Sequence, residues 1–371
     1  RLDDLGIDAR QLLKDVLDEA LDFGPIQDFI RDSTVEEIMV NGPYNIFVMR
    51  RGQKDMQRTN ARFIDEERLM TAINRIVAPL GRPINQSQPM VDARLPDKSR
   101  VNAIIPPVSL VGPVLTIRKF PENPLKPQDL LDKGTANRAI LQFLELAVLH
   151  RQNIVIAGGT AAGKTTLLNV ASSYIPPDER IITIEDSAEL QLLQPHVVSL
   201  ETRPANTEGT VSVSIRDLVR NSLRMRPNRI IVGECRGEEA IDMLQAMNTG
   251  HDGSLTTGHA NSARDMLSRL ETMVLTSGVE IPLVAIREQI VRAIDLIFFL
   301  RRFPDGKRRV AEVAEVTGLD EGEYMIGTIY EYAYSEGQDG ESAGRFFARG
   351  TIPQFIQTLR VSDGDYLARK T

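Results

Sequence analysis

The sequence predicts an α/β protein: a mostly parallel sheet covered by helices, preceded by a smaller α+β domain. Three observations carry this. Short apolar runs at 154–157, 181–185, 230–232, 254–259 and 296–300 alternate with helical stretches or long connections, the pattern of buried parallel strands. The first of these runs leads directly into a glycine-rich loop and then a helix. Before residue 120 the elements are shorter and mixed, without that regular alternation.

Taken in order, residues 1–33 read as a helical segment, because Leu12, Leu13, Val16, Leu17, Ala20 and Leu21 recur at three- and four-residue spacing. Strand-like pieces at 36–40, 45–49 and 62–64 follow. A helix over 65–80 carries Leu69, Ile73 and Ile76 on one face, and strands at 100–105 and 113–118 close an α+β domain over 34–120. Pro121, Pro124 and Pro127 interrupt any regular element, so 121–135 reads as a linker, with a hinge at 121–127. A helix over 137–150 opens the second domain, 136–371. Its tail reads as an antiparallel hairpin over 309–332, then a short helix with Pro353 in its first turn.

Composition bounds the rest. A chain of 371 residues has room for two domains and an ample core. Its strongest apolar run, Leu296-Ile297-Phe298-Phe299-Leu300, is far short of the ~20 residues of a membrane span. The net charge of −7 argues against a surface coated for nucleic acid. Cys235, the one cysteine, excludes an internal disulfide and any multi-cysteine zinc site, and fits the cytosol. No secretory leader is read. The sequence opens on Arg1, which leaves a preceding segment open.

The loop is Gly158-Gly159-Thr160-Ala161-Ala162-Gly163-Lys164-Thr165-Thr166, a Gly-x4-Gly-Lys-Thr phosphate-binding motif. Glycines let backbone N–H groups converge on phosphate oxygens, Lys164 adds charge at the β/γ-phosphates, and the Thr165 hydroxyl completes a Mg²⁺ shell. The following helix turns its N-terminal dipole toward the same anion. The plain alternative, a glycine-rich turn that happens to hold a lysine, does not account for the flanking strand and helix.

Four further groups bear on this chemistry. The run at 181–185 ends in Glu185 and Asp186, one of which could hold and deprotonate an attacking water; helix capping by Asp186 is the competing reading. Arg229-Ile230-Ile231-Val232-Gly233-Glu234 is an apolar strand ending in an acid, the second magnesium-supporting motif of phosphate-loop enzymes, with Glu in place of Asp and reach for contact through water. His251 and His259 fall close together; His259 suits hydrogen bonding to a γ-phosphate, and His251 reads as a satisfied structural histidine. Arg94 and Arg100 flank a turn-like stretch, and Arg118 ends a strand just before the linker. A guanidinium supplied from another domain or subunit could neutralise charge in phosphoryl transfer, and ordinary surface arginine is the alternative.

With these motifs in place the chain resembles the secretion ATPases of type II secretion, type IV secretion and type IV pili, and within them the CpaF-type ATPase of tight-adherence pili. The resemblance rests on Asp92-Ala93-Arg94-Leu95-Pro96, Ile184-Glu185-Asp186, residues 216–227, Ile231-Val232-Gly233-Glu234-Cys235-Arg236-Gly237 and residues 243–254. It implies a RecA-like ATPase domain behind a PAS-like N-terminal domain, a homo-hexameric ring, ATP/ADP and Mg²⁺ as ligands, and a place at the cytoplasmic face of the inner membrane. It also implies roles: Glu185 as water activator, Glu234 with Thr165 at magnesium, His259 near the γ-phosphate, and Arg94, Arg100 and Arg118 reaching nucleotide from the N-terminal domain. Hinge motion would move an inner-membrane platform protein to assemble a pilus, with retraction left open. No nucleic-acid partner is expected.

Three departures stand out. Lys98 occupies a turn position where relatives carry glycine, Gly258 replaces an apolar residue and so would loosen His259, and 85–88 carries amides where relatives are acidic. The four-cysteine zinc module of some relatives is impossible here. Two other function classes stay open: a DNA-translocating motor of the same core, with Arg301, Arg302, Lys307, Arg308 and Arg309 as its footprint, and a scaffold that binds nucleotide without hydrolysis. That basic cluster reads more readily as a solvated hairpin rim or a surface for an anionic membrane or partner.

Overall fold

The computed structural model describes residues 23–51, 53, 55–120, 124–203, 211–336 and 342–358. The amphipathic period at 12–21 lies outside them, as do residues 121–123 of the expected hinge. The chain divides into two compact units, Arg1–Asn123 and Pro124–Thr371.

The first unit is a six-stranded antiparallel sheet, built from β1 (Val35–Asn41), β2 (Ile46–Arg50), β3 (Gln57–Arg58), β4 (Met90–Arg94), β5 (Arg100–Ile104) and β6 (Val114–Arg118), in the order β3-β2-β1-β6-β5-β4. A short helix, α1 (Gln27–Arg31), precedes it, and α2 (Glu66–Val77) follows β3. Period-two patterning buries Ile38 and Val40 of β1, and a register shift between Val35 and Glu37 brings Val35 in with them, against Leu69, Ile73 and Ile76 of α2 in one apolar cluster. Asp65 caps α2 by accepting the Arg68 N–H at 2.8 Å, and Glu66 and Glu67 complement the helix dipole. The strand expected at 62–64 is a loop: Phe63 is buried, but its N–H goes to the Pro43 carbonyl (2.8 Å) rather than into a strand ladder.

The second unit opens with α3 (Pro127–Asp132) and α4 (Arg138–Leu149). Residues 127–132, expected in a linker, are helical because Pro127 sits in the first helical turn, where a missing N–H costs nothing. The chain continues through β7 (Ile154–Gly158), α5 (Lys164–Ser173), β8 (Ile181–Glu185), β9 (Val197–Glu201), α6 (Ile215–Ser222), β10 (Arg229–Cys235), α7 (Glu239–Asn248) and β11 (Leu255–Gly258). It ends with α8 (Ala263–Thr276), α9 (Leu283–Ala293), β12 (Leu296–Arg302), β13 (Arg308–Asp320), β14 (Glu323–Glu336), β15 (Ser342–Ala348) and α10 (Gln354–Gln357).

These strands form one nine-stranded sheet, β15-β14-β13-β12-β7-β11-β10-β8-β9. From β12 to β9 every pairing is parallel, whereas β12 to β15 pair antiparallel. The parallel strands are apolar on both faces. Val155, Ala157, Ile182, Ile184, Ile297 and Phe299 pack in the cluster that holds α6, α7, α8 and α9 residues. Ile154, Ile156, Ile181, Phe298 and Leu300 pack with α3, α4 and α5.

Polar clamps fix the register at the far end of this sheet. Asp295 Oδ2 accepts the Asn153 N–H at 2.7 Å, while Asn153 Oδ1 accepts the N–H groups of Gly253 (2.9 Å) and Ser254 (3.0 Å). The entries to β7, β11 and β12 are thereby tied together. Beside them Arg229, fully buried, donates to Glu179 (2.7 and 3.2 Å) and to the carbonyls of Val148 (2.9 Å) and Gly253 (3.1 Å).

Removing one partner of such a pair strands the other. Arg229→Ala is therefore expected to lose about 3–5 kcal/mol of stability in denaturant unfolding, far more than an exposed arginine would. Burial raises the Asp295 carboxyl to about 6, against 3.8 unperturbed, with Asp252 and Glu315 adding to the effect. The folded state holds this proton where the unfolded chain has lost it, so stability falls as pH rises from about 4 to about 6 and then levels. Asp295→Asn should abolish that slope and gain about 2 kcal/mol at pH 7.5; an unchanged pH profile would refute the assignment.

Candidate nucleotide-binding site

Because β7, β8, β10 and β11 run parallel, their carboxyl ends lie along one edge of the sheet, where ligands bind in open α/β folds. Every candidate of the second unit is on that edge. The loop after β7 leaves Gly159, Thr160 and Ala161 exposed. At Gly158 the backbone packs so closely on β12 that a Cβ would stand 2.6 Å from the Leu300 carbonyl oxygen. Gly163 has φ 99° and turns the chain into α5, whose first turn holds Lys164, Thr165 and Thr166.

Lys164 is buried, and its ammonium donates to the Gly159 carbonyl at 3.1 Å. Around it stand the His259 Nδ1 at 3.4 Å and the Glu234 Oε1 at 3.9 Å. Burial pushes the Lys164 ammonium below its ordinary range, and the Glu234 carboxylate opposes the shift. His259 Nε2 lies 2.9 Å from Glu234 Oε1. Burial also lowers the imidazole, which leaves it neutral at pH 7, with Lys164 and Arg236 acting in the same direction against Glu234. A carboxylate can only accept and an ammonium can only donate, so the proton that suits both neighbours sits on Nε2.

Gly258 leaves no void beside His259. The space a side chain would take there is filled by Met266, whose Cε lies 2.5 Å from the position of a Cβ. The other histidine of the pair behaves differently from expectation: the His251 carbonyl accepts from Ser254 Oγ (2.8 Å), but its buried Nδ1 has no hydrogen-bond partner.

Glu185 is buried at the end of β8, and its Oε1 accepts the N–H groups of Glu189 (2.8 Å) and Leu190 (3.1 Å). The capping expected of Asp186 is thus done by Glu185, and on an irregular segment rather than a helix. Asp186 instead pairs with Arg236 Nη1 at 3.2 Å. Arg236, which sequence reading gave no role, also donates to Glu234 Oε2 through Nε at 2.6 Å. It bridges the acids at the ends of β8 and β10. The only signal in the sequence was its position two residues after Glu234.

The arrangement fits magnesium. Thr165 supplies a hydroxyl at the first turn of α5, and Glu234 Oε1 is buried without an aligned hydrogen bond, leaving a lone pair for a water of the metal shell. Among the described residues no group of three His, Cys, Asp or Glu side chains could hold a metal by itself. A magnesium ion here would therefore depend on phosphate oxygens and water as well as on Thr165 and Glu234.

Arg94, Arg100 and Arg118 belong to the first unit. They form a row across three strands: Arg94 is paired directly with Arg100, and Arg100 with Arg118. The turn between the first two closes through Lys98 N to the Leu95 carbonyl (2.8 Å), and Lys98 takes the φ of 69° that suits glycine. Arg118 Nε also lies 3.7 Å from Glu37. The amides at 85–88 close a turn on themselves, with Asn85 Oδ1 accepting the Ser87 N–H at 2.9 Å.

A glycine-rich loop between a buried parallel strand and a helix, with a lysine beside a strand-end acid, defines a P-loop ATPase with a mostly parallel sheet. The chain belongs to the type II/IV secretion system protein family, which it matches over residues 19–324. A Mycobacterium tuberculosis protein named for conjugal transfer is 34% identical over 313 residues, covering 83% of this chain and 88% of its own. The type IV secretion system protein VirB11 of Bartonella henselae is 32% identical over 326 residues, covering 78% and 90%. Among solved structures, the pilus retraction motor PilT with bound ADP shares the fold, with a TM-score of 0.56 at 17% identity over 93% of this chain and 88% of that one.

The site makes a sharp demand on Gly233, which stands beside Glu185: a Cβ there would fall 2.7 Å from the Glu185 Cγ. Gly233→Ala should displace that carboxylate and cut phosphate release at least tenfold, with nucleotide affinity unchanged within about threefold. Full turnover in the variant would remove Glu185 from the chemistry.

Proposed function

We propose that this chain is the MgATP-hydrolysing motor of a type IV pilus of the tight-adherence, CpaF-like kind. In this reading it works as a homo-hexamer at the cytoplasmic face of the inner membrane and acts on a membrane platform protein. The observation that carries the reading is the buried Lys164, held beside Glu234 and His259 at an exposed glycine-rich loop. Burying an ammonium is costly unless anions face it, and one carboxylate only partly offsets the cost. A polyphosphate on the loop would complete the neutralisation. Membership of the secretion family supports the choice of a motor, and the ADP named with the PilT structure is consistent with the nucleotide. Among the described residues no helix is long and apolar enough to cross a membrane.

In the proposed mechanism, N–H groups of residues 159–166 bind the phosphates and Lys164 holds the β/γ end. Thr165 and Glu234, the latter through water, would hold magnesium, which screens the phosphate charge when bound. Glu185 orients the attacking water and accepts its proton. His259, whose Nε2 lies 2.9 Å from Glu234 Oε1, is placed to offer a hydrogen bond at the γ-phosphate. Arg94, Arg100 and Arg118 supply charge from an N-terminal domain, and a hinge at 121–127 turns the cycle into movement.

The test is steady-state phosphate release from MgATP. Lys164→Ala should abolish both nucleotide retention and turnover. Glu185→Gln should keep binding and lose turnover by about 10²-fold or more. Stimulation by lipid or by a platform protein is expected; stimulation by DNA instead would favour a translocating motor. A wild-type protein that retains no nucleotide with magnesium present would overturn the whole reading.

A further inference from the structure

The basic cluster at 301–309 is not a uniform rim. Its residues separate onto two faces of the β12–β13 hairpin, and the faces differ in chemistry. The pairing register sets Leu300 against Val310, Arg301 against Arg309, and Arg302 against Arg308. Side chains alternate along a strand, so Leu300, Arg302, Arg308 and Val310 share one face, and Arg301 and Arg309 share the other.

The second face is satisfied within the hairpin. Arg309 makes a bidentate pair with Asp305 (2.9 and 2.6 Å) and lies over the rings of Phe303 (5.5 Å) and Tyr332 (4.8 Å). Arg301 lies over Phe303 at 5.7 Å. These contacts, with Phe303 N–H on the Lys307 carbonyl (2.9 Å) and Gly306 N–H on the Phe303 carbonyl (2.9 Å), make the tip a built structure.

The first face is turned to the phosphate loop. Leu300 is paired with Gly158 across β12 and β7. From the position of a Cβ on Gly163, Leu300 Cδ2 lies 3.7 Å away and Arg308 Cδ lies 3.8 Å away. Arg302 and Arg308, both exposed, therefore stand directly opposite each other next to that loop. Like charges so placed repel. Among the described residues neither pairs with a carboxylate, and Arg302 makes only a long hydrogen bond, from Nε to the Gly306 carbonyl at 3.4 Å. An anion between them would relieve the repulsion and draw a charge-assisted fork from each.

We propose that Arg302 and Arg308 form a clamp, supplied by the same chain as the loop, that holds the α-phosphate and ribose end of the bound nucleotide. The inference rests on the nucleotide reading given above. Its direction comes from the sheet: Lys164, His259 and Glu234 gather on the β11 and β10 side of β7, which assigns the γ-phosphate to that flank, while β12 and β13 lie on the opposite flank. The clamp therefore meets a part of the ligand that ATP and ADP have in common.

Equilibrium binding of MgADP and of a non-hydrolysable MgATP analogue to the full chain tests this. Arg302→Ala/Arg308→Ala should weaken both ligands by about tenfold and by similar factors. Arg308→Lys should recover part of the loss, since charge without the fork remains. Arg301→Ala, on the other face, should bind as wild type. An unchanged affinity for both ligands in the double variant overturns the clamp. So does a loss confined to the ATP analogue, which would place the pair at the γ end. Unchanged nucleotide binding with lost adhesion to phosphatidylglycerol vesicles would reassign the face to a membrane surface. If the wild type binds neither nucleotide, the nucleotide reading fails together with the clamp; if the wild type binds and the double variant equals it, the clamp alone fails.

Discussion

The site depends on the parallel register of the central sheet. Parallel strands all end on the same side, so β7, β8, β10 and β11 deliver the glycine loop, Glu185, Glu234 and His259 to one edge. Two sets of contacts hold that register. Asn153 and Asp295 tie three strand entries together at one end, and the near-contact of Gly158 with the Leu300 carbonyl fixes the loop's base at the other. With helices on both faces, β7, β8 and β11 are buried at every residue, so a slipped strand would still be buried. Burial alone does not select the register in such a sheet, and the polar clamps supply what the apolar pattern cannot.

At the functional edge the charges balance one another rather than water. Glu234 faces Lys164, His259 and Arg236, and Arg236 carries its charge on to Asp186. The buried Lys164–Glu234 contact is stronger than it would be on an open surface, whereas the exposed Arg236–Asp186 pair is screened by solvent. The neutral imidazole of His259 lets one carboxylate serve two cations without a third positive charge in the group. A ligand that brings anions must then compete for Lys164 and release Glu234, so binding and rearrangement of the acids are coupled.

Much of this was legible in the sequence because the decisive strands are continuous apolar runs that end in a glycine or an acid. The run at 181–185 appears unchanged as β8, and 154–157 extends by one residue to Gly158. What escaped was polar or irregular. The edge strand β9 carries Ser199 and Glu201, β4 alternates around Asp92 and Arg94, and β3 spans only Gln57–Arg58; none has an apolar run to mark it. Proline misled at 127–132, where its effect depends on whether it stands first or inside a helix. The contacts of Arg236 and the capping by Glu185 depend on strand neighbours distant in sequence, which local pattern does not encode.

The row of arginines on the first sheet has a consequence for how such chains can drift over generations. Arg94, Arg100 and Arg118 are aligned only because their three strands keep step. Inserting or deleting a single residue within β5 would turn its arginine to the opposite surface and scatter the row, while a two-residue change would restore the facing but move the charge along the strand. Length variation in this domain is therefore tolerable in the connections, such as the stretch joining β5 to β6, and barred from the short turn at 95–99, whose span sets the first pair. Natural variants should record that barrier as loops of unequal length around a ladder of constant size.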